Sequence, residues 1–198
     1  MRPRYLIGVD LAASPRNPTG ICLMTDKLTC LTWTAFTDQQ ILETVAYYRP
    51  AVTAFDAPLS RPILGGLRRC ERELIREGIR LLPQTLSPMK RLAMRGMRLA
   101  ERVRRMGSTV LETYPRGVQR LLGFSISRRP RHGVSMLRKL GVAGLQPHPS
   151  IHEADAAICA FLAYLWLNGL TKEYGDKREK FITMPKSSAR RHLLFKRL

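Results

Sequence analysis

The sequence predicts a single α/β domain: a mixed five-stranded sheet, its first three strands antiparallel, flanked by helices. Three observations carry this expectation. Residues 5–36 read as three short strands with turn-rich joints. Strand-like and helix-like runs then alternate as far as the last helix, the pattern of crossover-linked parallel strands. At 198 residues the chain suits one sizeable core and is short for two full lobes.

Tyr5 to Asp10 is an apolar run ending on an acid, followed by the turn residues Ser14, Pro15, Asn17, Pro18 and Gly20. Thr19–Thr25 and Leu28–Phe36 are rich in Thr, Ile, Leu and aromatic residues, and Asp26-Lys27 between them suits a hairpin. Cys22 and Cys30 face each other if that loop has three residues and lie on opposite faces if it has two. Asp38 is expected to cap a helix of about ten residues with Ile41, Leu42, Val45 and Ala46 on one face, stopped by Arg49-Pro50. Ala51–Phe55 is a fourth strand, closing on Asp56-Ala57-Pro58.

Between Arg61 and Arg105 the composition shifts to thirteen Arg or Lys against four Glu. Gly66–Glu77 and Ser87–Arg105 read as helices. In the second, Leu92, Leu99 and Val103, flanked by Met89 and Met106, make one apolar face, and Lys90, Arg91, Arg95, Arg98, Arg102, Arg104 and Arg105 cover the rest. Residues 61–106 are therefore expected as a basic helical insertion that packs on the sheet, contacts nucleic acid, or does both. Thr109–Tyr114 is a fifth strand carrying Glu112 at its end. Residues 116–146 hold Arg116, Arg120, Arg128, Arg129, Arg131, Arg138 and Lys139 and no acid, whereas a solvated face normally mixes signs. Pro147-His148-Pro149-Ser150 precedes a strong helix from His152 to Asn168, ended by Gly169. Lys180–Met184 suits a last edge strand, so the domain is expected over residues 1–185 and a mobile basic tail over 186–198.

Charge narrows the function. Thirty-four Lys and Arg against 15 Asp and Glu give +19, and 26 of the 34 are Arg, whose planar fork meets phosphate oxygens two at a time. A polyanion is the natural partner, DNA or RNA first, with Arg91, Arg95, Arg98, Arg102, Arg116, Arg128, Arg129 and Arg131 the candidates to hold it. The first residues show no cleavable leader, and the longest apolar run, Ala156–Leu167, is shorter than the roughly 20 residues of a spanning helix, so a cytoplasmic protein without a membrane partner is expected. Four cysteines without a C-x-x-C pair or zinc-finger His spacing indicate neither a disulfide framework nor structural zinc.

With so few acids, four at strand ends or a helix start are notable: Asp10, Asp56, Glu112 and Asp155, with Glu153 beside the last. Residues leaving the carboxyl ends of neighbouring parallel strands converge on one crevice. Carboxylates converging there repel one another unless a cation lies between them, and Mg²⁺ or Mn²⁺ suits oxygen ligands. Turn chemistry for Asp10 and Asp56 and helix capping for Asp155 compete with this reading.

The segments Gly8-Val9-Asp10, Phe55-Asp56-Ala57-Pro58, Arg68-Arg69-Cys70-Glu71-Arg72-Glu73, Glu112-Thr113-Tyr114-Pro115 and His152-Glu153-Ala154-Asp155-Ala156-Ala157 together resemble the DUF429 family of predicted ribonuclease H-like nucleases. The resemblance implies a ribonuclease H-like mixed sheet with Asp10, Asp56 and Asp155 as metal ligands. The start of the last helix is also similar to the Holliday-junction resolvase branch of that superfamily. There His152, three residues before Asp155 and so on the same helix face, would bind metal, hold the attacking water or stabilise the leaving oxygen. Glu112 stands at a strand end in the family and joins Asp10, Asp56, Asp155 and His152 as a catalytic candidate. The expected function is a Mg²⁺- or Mn²⁺-dependent nuclease, with a homodimer suiting a two-fold branched substrate. The alternative is a nucleic-acid-binding protein whose site does no chemistry. A phosphotransferase of the actin-like kind is disfavoured by the chain's length and by Pro15 and Pro18 where a Gly-rich phosphate loop is needed.

Overall fold

The computed structural model describes residues 4–126 and 129–195. Its main sheet has the order β3-β2-β1-β4-β5, formed by β1 (Tyr5–Asp10), β2 (Thr19–Thr25), β3 (Cys30–Ala35), β4 (Val52–Asp56) and β5 (Thr109–Glu112). β1, β2 and β3 pair antiparallel, and β1–β4 and β4–β5 pair parallel. Residues 26–29 join β2 to β3, with Leu28 in the left-handed region at φ 61°, and Met24 opposes Cys30. That register puts Cys22 and Cys30 on one face, both as buried free thiols.

Helices cover both faces. On one, α1 (Asp38–Tyr48) and α3 (Ser87–Arg105) bury Ile41, Leu42, Val45, Leu99 and Val103 against Ile7, Val9 and Phe55. Thr37, rather than Asp38, caps α1: its hydroxyl accepts from the Gln40 amide at 3.2 Å while the Gln40 side chain accepts from the Thr37 amide at 3.1 Å. Residues 61–106, expected as an insertion, are the β4-to-β5 crossover itself. They contain α2 (Arg69–Arg76), which starts three residues later than expected because the glycine-rich stretch before it stays irregular, and α3, a packed layer.

The other face is covered by α6 (Ile151–Leu167), with α4 (Pro115–Leu121) and α5 (Pro130–Lys139) beside it. Ser150 and Glu153 close a capping box at its start. α6 lies against the backbone of β1 and β2: a Cβ on Gly8 would stand 2.0 Å from the Ala156 carbonyl oxygen, and one on Gly20 1.9 Å from that of His152. Only glycine admits a helix this close.

Two expectations for the C-terminal segment are corrected. Residues 180–184 do not edge the main sheet. They belong to β7 (Lys180–Pro185), which pairs antiparallel with β6 (Thr171–Asp176) in a separate hairpin. β6 escapes notice in the sequence because Thr171-Lys-Glu-Tyr-Gly-Asp176 has one large apolar side chain and no alternation. The expected mobile tail contains α7 (Ala189–Phe195), anchored by buried Ala189 and Leu193. Among the described residues no helix is long and apolar enough to cross a membrane.

Candidate active site

Asp10 and Asp56 end β1 and β4 and are direct partners in the parallel register. Side chains alternate along a strand, so Asp10 shares the face of Gly8, the face on which α6 lies. Asp155, in the second turn of α6, and His152, one turn earlier, are brought over the same strand ends. His152 Nδ1 and Asp10 Oδ2 are 2.7 Å apart. The three aspartates and His152 line one cleft of about 480 Å³ together with Arg80, Tyr114 and Arg116, and Leu81, Leu82, Met89 and Leu92 form an apolar wall.

The electrostatics are those of a crowded carboxylate site. Burial, then the charges of Asp10 and Asp155, push the Asp56 carboxyl well above its ordinary range, while Arg116 pulls it back. Asp155 is pushed up to about 7, by burial first and by Asp10 next, against Arg116 and His152. The bond to Asp10 is the main reason the His152 imidazolium is favoured and its pKa rises. These groups are an all-oxygen donor set whose mutual repulsion a divalent cation relieves, so the chemistry of the three aspartates fits Mg²⁺ or Mn²⁺. Among the described residues no three His, Cys, Asp or Glu side chains already stand as a metal-ligand group.

Glu112 lines the same cleft, but its carboxylate already has a cation of its own. Arg68, 1 % exposed, grips it with both terminal nitrogens, at 2.8 Å to Oε2 and 2.5 Å to Oε1, and the Leu59 amide donates to Oε2 at 2.7 Å. Burial pushes the Glu112 carboxyl up, against the pull of Arg68 and of that amide. The phase of β5 accounts for this partner. Leu111 belongs to the α6-side core, so Glu112 leaves its strand on the opposite face from Asp10 and Asp56 and enters the cleft from the side of Arg68. Arg68 Nε also donates to Glu71 at 3.1 Å, and Gln84 joins Glu71 at 3.2 Å, so the network holds the irregular chain before α2 against the sheet.

The basic candidates divide as sharply. Arg91, Arg98 and Arg102 are exposed on α3 and Arg116 is half-buried in the cleft. Arg95, expected on the exposed side, is buried: it pairs with Asp38 at 2.7 Å and donates to the carbonyls of Ala12 and Phe36, both at 2.8 Å. It cannot hold a phosphate there. Arg129 and Arg131 are exposed around the start of α5, and Arg128 lies outside the described residues. Arg80 and Tyr114 were not anticipated as site residues. Tyr114 carried a usable signal, two residues beyond a strand end, whereas Arg80 carried none.

A mixed five-stranded sheet of this order, flanked by helices on both faces and with the cleft at the carboxyl ends of its parallel strands, is a ribonuclease H-like α/β fold. Two solved structures bear this out: RuvC of Thermus thermophilus in complex with a Holliday junction substrate, at 15 % identity and a TM-score of 0.52, and the Thermus thermophilus RuvC structure, at 16 % and 0.51. Each likeness covers 83 % of this chain and 96 % of the other and shows the fold. No family model matches the chain and no curated protein matches it, so the DUF429 resemblance rests on the sequence motifs alone.

Proposed function

We propose that this chain is a divalent-metal-dependent nuclease of the DUF429 kind that cleaves phosphodiester bonds in DNA or RNA, with branched DNA the first substrate to try. The observation that carries the reading is the meeting of Asp10, Asp56 and Asp155 in one cleft, beside Arg116, on a protein of net charge +19. The three aspartates would hold the metal. When bound, a divalent ion supplies positive charge to the phosphoryl oxygens and lowers the pKa of an attacking water.

The chain's own residues supply the rest. Arg116 donates to the non-bridging phosphate oxygens and offsets carboxylate charge before substrate arrives. His152 has Nδ1 on Asp10, which leaves Nε2 to donate a proton towards the leaving oxygen, and the Asp10 contact fixes the ring for that task. Arg91, Arg98 and Arg102 hold the flanking backbone. Glu112 acts through Arg68 on the walls of the cleft rather than on the reacting atoms. Branched DNA is favoured by the likeness of fold to a RuvC solved with a Holliday junction substrate and by the start of α6. A two-fold junction would require two copies of this cleft.

The alternative, a nucleic-acid-binding protein without chemistry, draws on the pairing of Asp10 with His152 and on the lack of a ready-made ligand set among the described residues. A panel of single-stranded, duplex and four-way-junction DNA and RNA, with Mg²⁺ or Mn²⁺ and with chelator, separates the two. The expected result is metal-dependent cleavage that Asp10→Asn abolishes by at least about a hundredfold while nucleic-acid binding is retained or tightened. Tight binding by the wild type with no cleavage of any substrate would leave the binding-protein reading standing.

A further inference from the structure

Away from the carboxylate cleft the surface carries a second groove, about 430 Å³ in volume, lined by Arg129, Pro130, Arg131, Pro147, His148 and Pro149. Two features mark it. Half of its residues are prolines, which fix φ on both walls, so the basic side chains are mounted on stiff backbone. The segment that supplies both walls also carries no acidic residue between Glu112 and Glu153 in the sequence, and the Glu153 carboxylate is engaged by the Ser150 amide at 2.9 Å.

Both walls lead to the first turns of α6. On one side α5 packs on α6 through Gly133, where a Cβ would stand 3.2 Å from Ile158 Cδ1 and 4.0 Å from Ala154 Cβ. Ala154 is the neighbour of Asp155. On the other side Pro147–Pro149 runs straight into Ser150, the α6 cap. His148 and His152 are four residues apart, a reach of at most about 14 Å. Successive phosphates advance roughly 3.4 Å along a duplex strand, so groove and cleft are no more than about four nucleotides apart.

We propose that this groove, through Arg131 and His148, binds backbone phosphates of the same nucleic-acid strand that enters the carboxylate cleft. The inference rests on the nucleic-acid reading above and adds a second, separable contact along the strand. Arg131 and His148 are exposed, so replacing them leaves the core untouched, which a thermal melt verifies.

The test is binding without metal. Fluorescence anisotropy in chelator, across a salt series, compares a twelve-nucleotide single strand with a dinucleotide, whose single internal phosphate can occupy only one of the two sites. The proteins are the wild type, the double variant Arg131→Ala/His148→Ala, and Arg131→Lys. A single-strand phosphate contact contributes about 0.7 to the log–log salt slope, or about fivefold in affinity at 0.1 M salt. The double variant is expected to lose at least that on the twelve-mer, with a correspondingly shallower slope, and less than twofold on the dinucleotide. Arg131→Lys, which keeps the charge, is expected to stay within about threefold of the wild type. Wild-type affinity for the twelve-mer in the double variant, or an equal loss on both lengths, would overturn the second site. Wild-type protein that binds neither length in a salt-dependent way would instead remove the nucleic-acid reading itself.

Discussion

Arg95 is buried on α3 with its guanidinium shared among Asp38 and the carbonyls of Ala12 and Phe36, whereas Arg98, three residues on, is exposed. The difference is one of helix face. Arg95 falls three residues after Leu92 and four before Leu99, on the stripe that meets the sheet. The spacing was visible in the sequence, but residue type outweighed it, because an arginine is rarely buried unless every donor finds a partner. Here three backbone or carboxylate oxygens meet that need. Arg95→Ala strands them and is expected to cost about 2–4 kcal/mol, while Arg98→Ala stays within about 0.5 kcal/mol. Urea unfolding midpoints of the two variants check this, and equal midpoints would refute the buried role. Glu112 follows a related logic: its strand-end position brings it to the cleft, and the phase of β5 sets its carboxylate on Arg68.

α6 meets β1 and β2 where both strands carry glycine, and that close approach sets His152 and Asp155 over Asp10. In Gly8→Ala the new Cβ would overlap backbone, the Ala156 carbonyl oxygen and the Ala160 amide at 2.0 and 2.3 Å, so the helix must move as a body. The expected cost is about 1–3 kcal/mol of overpacking, with a larger effect on the site than on the fold. An NMR titration reads it out: the pKa of His152, raised chiefly by its bond to Asp10, should fall back towards the ordinary histidine value as the two separate. An unchanged His152 titration would mean that the helix does not depend on Gly8 for its placement. A comparable tie fixes the C-terminal hairpin. Glu179, at the β6–β7 turn, accepts from the Ile63 and Arg69 amides, both at 2.7 Å, joining the chain after β6 to the start of the crossover.

For the whole molecule, a carboxylate cleft within a chain of net charge +19 has consequences for stability. The folded-state pKa of Asp155, about 7, lies above the unfolded value of about 3.8. Between roughly pH 4 and pH 7 the folded protein therefore binds a proton that the unfolded chain has lost. Stability from this group is full at low pH and declines as pH rises through that window. Asp155→Asn removes the dependence and is expected to stabilise the metal-free protein at pH 7 by about 1–3 kcal/mol after allowance for solvent screening. A divalent ion at the cleft offsets the same repulsion in the wild type, raising its Tm at pH 7 and not that of the variant. Thermal melts from pH 4 to 8, with chelator and with Mg²⁺ or Mn²⁺, measure both effects. A wild-type Tm that rises with pH in chelator would contradict the crowded-carboxylate account.

Local pattern was enough for the main sheet, its three antiparallel opening strands, the bounds of α3 and the strand-end positions of Asp10 and Asp56, because strand and helix periods and turn residues act within a few positions of the chain. The excess of Arg over Lys is likewise legible from composition alone and motivates the polyanion partner proposed above. Tertiary structure decided what depends on distant partners. It chose which arginines are spent on Asp38 and Glu112 and which remain exposed, paired His152 with Asp10 across 142 intervening steps of sequence, folded the supposed tail into α7, and matched β6 with β7. Burial and pairing are properties of two surfaces at once, and no window of sequence contains both.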